Sequence, residues 1–416
     1  MRRYGLVSYA IAAGTPDLGL GSSFDPHSYP TPKSALFEGW FGRIVDLQQN
    51  LSIATIIGTI RGVNTTTFNQ TWSAALVSSG ADGTASMVTT QAVASVPPII
   101  TPRSSDAKGA PSSFAFGWND SASSGITVAF DVNDSVVSMD WSGRGAKSST
   151  STNSDVVLHF ETTGPRVPWS VTAPNAAGPE GWLGLALPLQ ALPCHYYVHS
   201  LASPVAYTLT MPAEVTAESS TMTTATTTIQ GTGLLHLEAN YGAFFPDAWV
   251  WSQSASDANT QLLVAATYLR EPPVLVPAEA SSPPGAAGVS VGGSGLSLVA
   301  YRSLAFGALD FRSTDPGASV ALASQDACAG TAVVAASSPR HNLVVELSAP
   351  LGTFSDPIFA PSRTGDFSDD PGAVESYAAS VSATLTDAPT GEVLEVLAFS
   401  LSALEFGGGF RCQKVI

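Results

Sequence analysis

The chain has 416 residues, of which 17 are Lys or Arg and 33 are Asp or Glu, so its formal net charge is -16. This excess of negative charge disfavours nucleic acid and anionic membrane surfaces as partners. Hydrophobic residues make up 44% of the chain and charged residues 12%, yet no run of about 18 apolar residues occurs. We therefore predict no stable membrane span, enough length for two cores, and an interior suited to an apolar small-molecule ligand.

The first residues leave the cellular compartment open. Arg2 and Arg3 precede a modestly apolar stretch at 5–14, which has the shape of a short secretory signal and equally fits a first strand. Five N-x-S/T sequons begin at Asn50, Asn64, Asn69, Asn119 and Asn133. Because a Ser/Thr-rich chain also produces sequons by chance, they shift the balance only slightly towards a secretory route, with plastid and cytoplasm as alternatives.

Strand-like runs separated by Gly, Pro, Asn, Asp and Ser follow one another along the chain, a pattern typical of antiparallel sheets. In chain order they cover 52–60, 126–132, 136–141, 156–161, 205–211, 261–269, 342–348 and 392–406. No long stretch has helical periodicity with caps, and the 37 glycines and 29 prolines fit a loop-rich all-β protein. The Pro-, Gly- and Ser-rich tract at 272–295 is predicted to be a long surface loop or hairpin connection.

Two Trp-led hairpins about half a chain apart form a weak internal repeat. The first contains Trp40 and returns over 52–60, and the second contains Trp249 and Trp251 and returns over 261–269. The repeat predicts two similar β-barrels, divided into domains 1–225 and 226–416. A closed barrel of about eight strands has room for one small ligand, and two barrels add a cleft between them.

Aromatic and acidic side chains are densest in the stretch 234–253. Within it lie Phe244, Phe245, Trp249, Trp251, His236, Glu238 and Asp247. On an extended strand Trp249, Trp251 and Gln253 share one face. The stretch therefore predicts a loop that delivers carboxylates to the mouth of an aromatic-lined β-structure.

Several motifs, in one order from residue 26 to residue 410, resemble those of the tocopherol cyclase family and its lipocalin-like relatives. The matching segments are 26–28 (PHS), 37–41 (FEGWF), 181–194 (with Gly181, Trp182, Pro188 and Cys194), 238–253 (with the E, N, G, FP, W, W and Q of the family signature), 341–347 (HNLVVEL) and 404–410 (LEFGGGF). The resemblance implies an all-β fold of two lipocalin-like antiparallel β-barrels packed in tandem.

The same resemblance implies a cyclase or isomerase that closes a ring on an apolar prenylated phenol or a related isoprenoid or polyketide. It implies no metal and no redox cofactor. Relatives include carotenoid hydratases and fungal Diels-Alderases, so a Diels-Alderase-type pericyclase is one alternative, and a non-catalytic carrier of an apolar metabolite is another. Gly42, Ala239 and Tyr241 depart from the cyclase pattern. The resemblance therefore supports the scaffold more strongly than it supports tocopherol as the product.

Ring closure by acid assistance needs a carboxyl that stays protonated among aromatic walls, which stabilise the cation that develops. Asp247 and Glu238 flank the aromatic strand and are the first candidates for this acid, and Glu38 is the next. Each carboxylate also has a structural interpretation. Asp247 would then cap a turn, and Glu38 would satisfy backbone amides or pair with Arg43.

Substrate contacts are predicted for Trp40, Tyr197, His199, Tyr241, Phe245, Trp249, Trp251 and Gln253. His195 and His199 share a strand face, but no third ligand stands nearby in the sequence, so we predict no metal site. A hydrogen bond from His199 or Tyr197 to a phenol is one interpretation, and a buried structural histidine is the other.

Three cysteines are too few for a disulfide scaffold and lack zinc spacing. A bridge between Cys328 and Cys412 is one interpretation. The favoured interpretation is three isolated buried thiols, with Cys194 as the third. The sequence makes no prediction of oligomeric state.

Overall fold

The computed structural model describes residues 26, 36–62, 68–80, 86–95, 97–102, 114–120, 126–133, 136–143, 156–172, 178–181, 194–212, 226–270 and 295–412. Several sequence predictions lie outside these ranges: the N-terminal signal, Asn64, His27, Ser28, Trp182, Pro188 and nearly all of the tract 272–295. Within the described ranges, no helix is long and apolar enough to cross a membrane.

The first half of the chain forms one antiparallel sheet of eleven strands. They are β1 (Leu36–Asp46), β2 (Leu51–Arg61), β3 (Gln70–Ser79), β4 (Ser86–Ala94), β5 (Ile99–Pro102), β6 (Phe114–Asp120), β7 (Ile126–Asn133), β8 (Val136–Gly143), β9 (Val156–Thr162), β10 (Cys194–Pro212) and β11 (Thr226–Gly242). Their spatial order is β4-β3-β2-β1-β11-β10-β9-β8-β7-β6-β5, so β1 pairs with both β2 and β11.

The second half forms an antiparallel sheet of ten strands. They are β12 (Ala248–Ala255), β13 (Gln261–Tyr268), β14 (Leu298–Ser303), β15 (Gly307–Arg312), β16 (Ser319–Asp326), β17 (Thr331–Ser337), β18 (His341–Ser348), β19 (Ile358–Pro361), β20 (Phe367–Asp387) and β21 (Val393–Gly408). The order is β15-β14-β13-β12-β21-β20-β18-β17-β16, and β19 pairs with β20.

The predicted all-β fold of two tandem lipocalin-like barrels is confirmed. Each predicted strand coincides with an observed one to within a residue or lies inside a longer one. The repeat is visible in the topology, because β12 pairs with β13 and β21 just as β1 pairs with β2 and β11. The predicted division after residue 225 would separate β11 from the strands with which it pairs; the chain passes from one sheet to the other between Gly242 and Ala248.

Three apolar clusters account for the packing. One fills the first sheet, where Trp40 packs on Phe114 with ring centroids 5.3 Å apart, and another fills the second sheet. The first sheet curls on itself, since the Trp141 indole of β8 donates to Ser73 Oγ of β3 at 2.8 Å. The third cluster lies between the sheets and includes Phe41 and Trp251. Alternate residues of β1, β11 and β12 therefore face either a barrel core or the junction.

The cysteines correct one prediction. Cys328 and Cys412 form a disulfide, and Cys194 is the free cysteine of the described residues. Cys328 and Cys412 are both exposed, so the expectation of three isolated buried thiols was wrong. The bond joins the turn between β16 and β17 to the segment after β21. The number and spacing of the cysteines could not show that this turn and this C-terminal segment lie within bonding distance of each other.

Candidate functional site

A cavity of about 200 Å³ opens at the junction of the two sheets. Most of its wall is apolar. The aromatic residues that line it are Phe37, Trp40, Phe41, Trp72, Tyr196, Phe245, Trp249, Trp251, Phe359 and Phe367. Glutamates also reach it from both sheets, among them Glu238 of β11 and Glu405 of β21. A concave, aromatic site with a few converging polar groups is the usual form of a small-molecule pocket.

The wall from the first sheet is built around Glu238. Its carboxylate accepts a hydrogen bond from the Tyr196 hydroxyl at 2.5 Å and lies 2.8 Å from His236 Nε2. Asn240, two residues further along the same strand face, donates at 3.4 Å. The Trp251 indole reaches across from the second sheet and donates to the Tyr196 hydroxyl at 3.2 Å. This carboxyl is thus an acceptor surrounded by donors.

The wall from the second sheet carries two glutamates side by side. Glu405 lies opposite Trp251 on β12 and opposite Glu375 on β20. The two carboxyl groups hydrogen-bond to each other. The Trp249 indole donates to Glu405, and the Tyr377 hydroxyl donates to Glu375.

Glycine at position 407 makes this wall possible. Gly407 is the register partner of Trp249, and a Cβ there would lie 1.8 Å from indole Cε2. Only a residue without a side chain lets the indole lie against β21. That placement allows the Trp249 N–H to reach Glu405.

The second wall favours a protonated carboxyl. Burial raises the pKa of Glu405 well above its ordinary value, and the adjacent Glu375 raises it further. Burial also raises the pKa of Glu375, although its hydrogen bonds to Glu405 and Tyr377 and the charge of Arg43 oppose this. Two carboxyls in contact cannot both ionise readily, so this arrangement favours one proton shared by the pair. Both glutamates line the cavity, and Glu405 is the more exposed of the two, since Glu375 is 1% exposed.

The predicted acids are separated by the fold. Glu238 and Glu38 line the cavity, and Asp247 does not. Asp247 accepts from the backbone N–H of Arg270 at 2.8 Å and pairs with Arg363 at 3.0 Å. Burial acts to raise the pKa of Asp247, but these hydrogen bonds and charges lower it overall. Its surroundings are those of the turn-stabilising alternative.

The predicted substrate contacts are likewise divided. Trp40, Phe245, Trp249 and Trp251 are among the residues that line the cavity, although the Trp40 ring packs in the core of the first barrel. The other four lie elsewhere: Tyr197 in the core of the first barrel, Tyr241 stacked on His195 with centroids 5.1 Å apart, His199 beside Arg166 at 3.5 Å, and Gln253 against Arg43 at 2.5 Å. Burial lowers the pKa of His199 well below its ordinary value, and Arg166 adds to this, so it is a neutral buried imidazole.

Sequence reasoning missed Tyr196, Glu375 and Glu405. Tyr196 precedes the predicted Tyr197, and alternation places neighbours on opposite faces without saying which face is inward. Glu405 lies in the segment 404–410 that resembles the closing motif, so a signal for it existed. Glu375 had none. No group of three His, Cys, Asp or Glu side chains within the described ranges could hold a metal ion.

Comparison with known proteins shows the fold. No family model matches the chain, and no curated protein matches it. The crystal structure of CghA is similar with a TM-score of 0.52 at 11% identity, covering 95% of this chain and 97% of that one. CghA solved with Sch210972 gives a TM-score of 0.51 at 11% identity, over 90% of this chain and 88% of that one. An AttH protein from Nitrosomonas europaea is similar with a TM-score of 0.44 at 11% identity, covering 92% of this chain and 98% of that one. The likeness to CghA spans both barrels.

Proposed function

We propose that the cavity binds an apolar small molecule and that the protein is a cyclase that closes a ring on it by acid assistance. The observation that carries this proposal is Glu405, a carboxyl with a raised pKa that faces an aromatic cavity beside a second glutamate. A general acid must keep its proton at working pH, and a desolvated carboxyl near another carboxyl does so. A cavity for a passive ligand does not require such a group.

The substrate class we propose is a prenylated phenol or a related isoprenoid. Glu405 donates its proton to an alkene carbon, which forms a C–H bond and leaves a tertiary cation. The indole faces of Trp249 and Trp251 stabilise this cation by about 0.5–2 kcal/mol each. The phenol oxygen attacks the cation, and its proton passes to Glu238 on the opposite wall. The product is an isomer of the substrate, and no electron is gained or lost.

Two lines support a cyclase of this kind. The motifs from residue 26 to residue 410 resemble those of tocopherol cyclases. The fold is also that of CghA, which has been solved with Sch210972. At 11% identity this likeness extends to the fold alone, so the substrate must be assigned by experiment.

Incubation with a panel of prenylated phenols and quinols, followed by chromatography and mass spectrometry, tests the proposal. We expect a product of unchanged mass and shifted retention, lost in Glu405→Gln and retained in Asp247→Asn. The first variant removes the proposed acid, and the second removes a carboxylate that lies outside the cavity. Tight binding of the panel without any isomer would contradict the cyclase and favour a carrier. An isomer that Glu405→Gln still forms would favour templating without an acid, as in a pericyclase.

A further inference from the structure

Arg43 lies inside the molecule where the two sheets meet, and it is 1% exposed. Its guanidinium donates to Ser52 Oγ at 2.9 Å and to Gln253 Oε1 at 2.5 Å. It also donates to the carbonyl of Leu401. Because these partners belong to β2, β12 and β21, one side chain ties the first sheet to two strands of the second.

These hydrogen bonds do not neutralise Arg43. The acceptors are hydroxyl, amide and backbone oxygens, all of them uncharged. Burial lowers the pKa of Arg43 to about 10, although Tyr377 and Glu375 oppose this, so the group is charged at neutral pH. Leu401, which supplies one acceptor, has φ of 49°, a left-handed conformation that is uncommon outside glycine. A buried charge and an unusual backbone residue at one point are costly features, and such features concentrate at functional sites.

The charge of Arg43 is directed at the glutamate pair. The guanidinium carbon lies 5.0 Å from the centroid of the Tyr377 ring, and the Tyr377 hydroxyl donates to Glu375. Glu375 is the member whose carboxylate form Arg43 favours. Glu405 is the register partner of Glu375 on the neighbouring strand β21, and it too lines the cavity.

We propose that Arg43, acting with Tyr377, is the positioning residue that holds Glu375 as the carboxylate and leaves the single proton of the pair on Glu405. The catalytic consequence rests on the proposed function, because it aims that proton at the ligand. Without the positive charge of Arg43, Glu375 is protonated as well, and the pair then carries two protons. The other titratable groups around the pair are Tyr196 of β10 and His236 and Glu238 of β11. β12 contributes the indole of Trp249, which does not titrate.

Infrared spectroscopy of protein carrying 13C-labelled glutamate counts protonated buried carboxyls by their C=O stretch, without any substrate. At neutral pH we expect one band from the pair, which Glu405→Gln removes. Arg43→Gln and Tyr377→Phe should each show two bands, because the charge of Arg43 and the hydrogen bond from Tyr377 both lower the pKa of Glu375 and losing either one raises it. Arg43→Lys keeps the charge and Ser52→Ala removes a neutral acceptor, so both should keep one band.

A single band in Arg43→Gln and Tyr377→Phe would overturn the inference and make Arg43 a purely structural link. Tyr377→Phe keeps the ring beneath the guanidinium, so it decides the question if Arg43→Gln does not fold. The readout needs no turnover. A protein with the expected bands that converts no member of the phenol panel would thus reject the cyclase and support the role of Arg43 on the pair.

Discussion

In the first sheet Glu238 of β11 lies opposite Phe41 of β1, and in the second sheet Glu405 of β21 lies opposite Trp251 of β12. The rings of Phe41 and Trp251 touch, with centroids 5.2 Å apart. Equivalent strand pairs therefore meet across the cavity. The repeated topology places a carboxyl and an aromatic ring at corresponding positions on both walls.

The walls differ one strand further out. The register partner of Glu238 on β10 is Val198, whereas the partner of Glu405 on β20 is Glu375. Glu238 is left to accept hydrogen bonds from donors such as Tyr196, while Glu405 meets a second carboxyl. In the proposed mechanism, one fold position thus holds a proton acceptor on one wall and a proton donor on the other. The surroundings of a carboxyl, rather than its place in the fold, decide its role.

The largest expected effect is on the pH dependence of turnover. Because the pKa of Glu405 is raised, activity should persist above the pH at which an ordinary carboxyl ionises, and it should fall about tenfold per pH unit once the pH exceeds the raised pKa. Glu405→Gln should lower kcat by roughly 10²–10⁴-fold at neutral pH. The measurement is kcat against pH for the isomer-forming substrate. If the acid had a lowered pKa, as Asp247 does, activity would instead be lost at much lower pH as the pH rises. A fall in kcat with rising pH that is complete within the acidic range would therefore contradict the assignment of Glu405 as the acid.

The second prediction concerns a covalent difference between the barrels. The segment after β21 is tied to the turn at Cys328 through Cys412, across a sequence separation of 84 residues, whereas β11 runs directly towards β12. Cys412→Ser should lower the free energy of unfolding by about 4 kcal/mol, since a loop of this length is constrained in the unfolded chain. Denaturant titration under oxidising conditions measures it. Cys194→Ser is the matched control and should change stability far less.

The sequence predicted the architecture because alternation and turn residues are local signals. Trp249 and Trp251 both line the cavity, as their spacing on one strand face requires. The partner of Gln253 is Arg43, 210 positions away along the chain, and no local pattern reports such a contact. His195 and His199 were predicted to share a face, but the register of β10 against β11 shifts after Val198.

The pair of Glu405 and Glu375 is another contact that no local sequence pattern could predict. Glu405 and Glu375 come together only through the pairing of β21 with β20. Glu375 stands in a strand with several other acidic residues and has no motif that distinguishes it. Asp247 looked equally acidic and aromatic in sequence, and its pairing with Arg363 depends on a residue more than a hundred positions away. Burial and neighbours set the pKa of a carboxyl, and neither is local.

A third prediction makes the second wall resemble the first. Glu375→Gln keeps the shape of the side chain but removes the like charge beside Glu405, which raises its pKa. The pKa of Glu405 should then fall, and the loss of activity at high pH should begin at lower pH than in the unaltered protein. The kcat profile of this variant measures the shift. Val198→Ile, which adds one methylene at the equivalent position of the first wall, should leave the profile in place.

The smallest expected effects come from replacing the two indoles, Trp251 and Trp249, which should affect the pH profile differently. Trp251→Phe keeps the ring against Phe41 but loses the hydrogen bond to the Tyr196 hydroxyl, which costs about 1 kcal/mol, or roughly fivefold in kcat/KM. Its pH profile should not move, because this indole has no bond to the acid pair. Trp249→Phe removes the donor to Glu405, a bond that lowers the pKa of Glu405, so its profile should shift to higher pH. If the pH profiles of both variants shifted equally, the carboxyls of the two walls would titrate as one unit. That result would contradict the assignment of Glu405 as proton donor and Glu238 as proton acceptor.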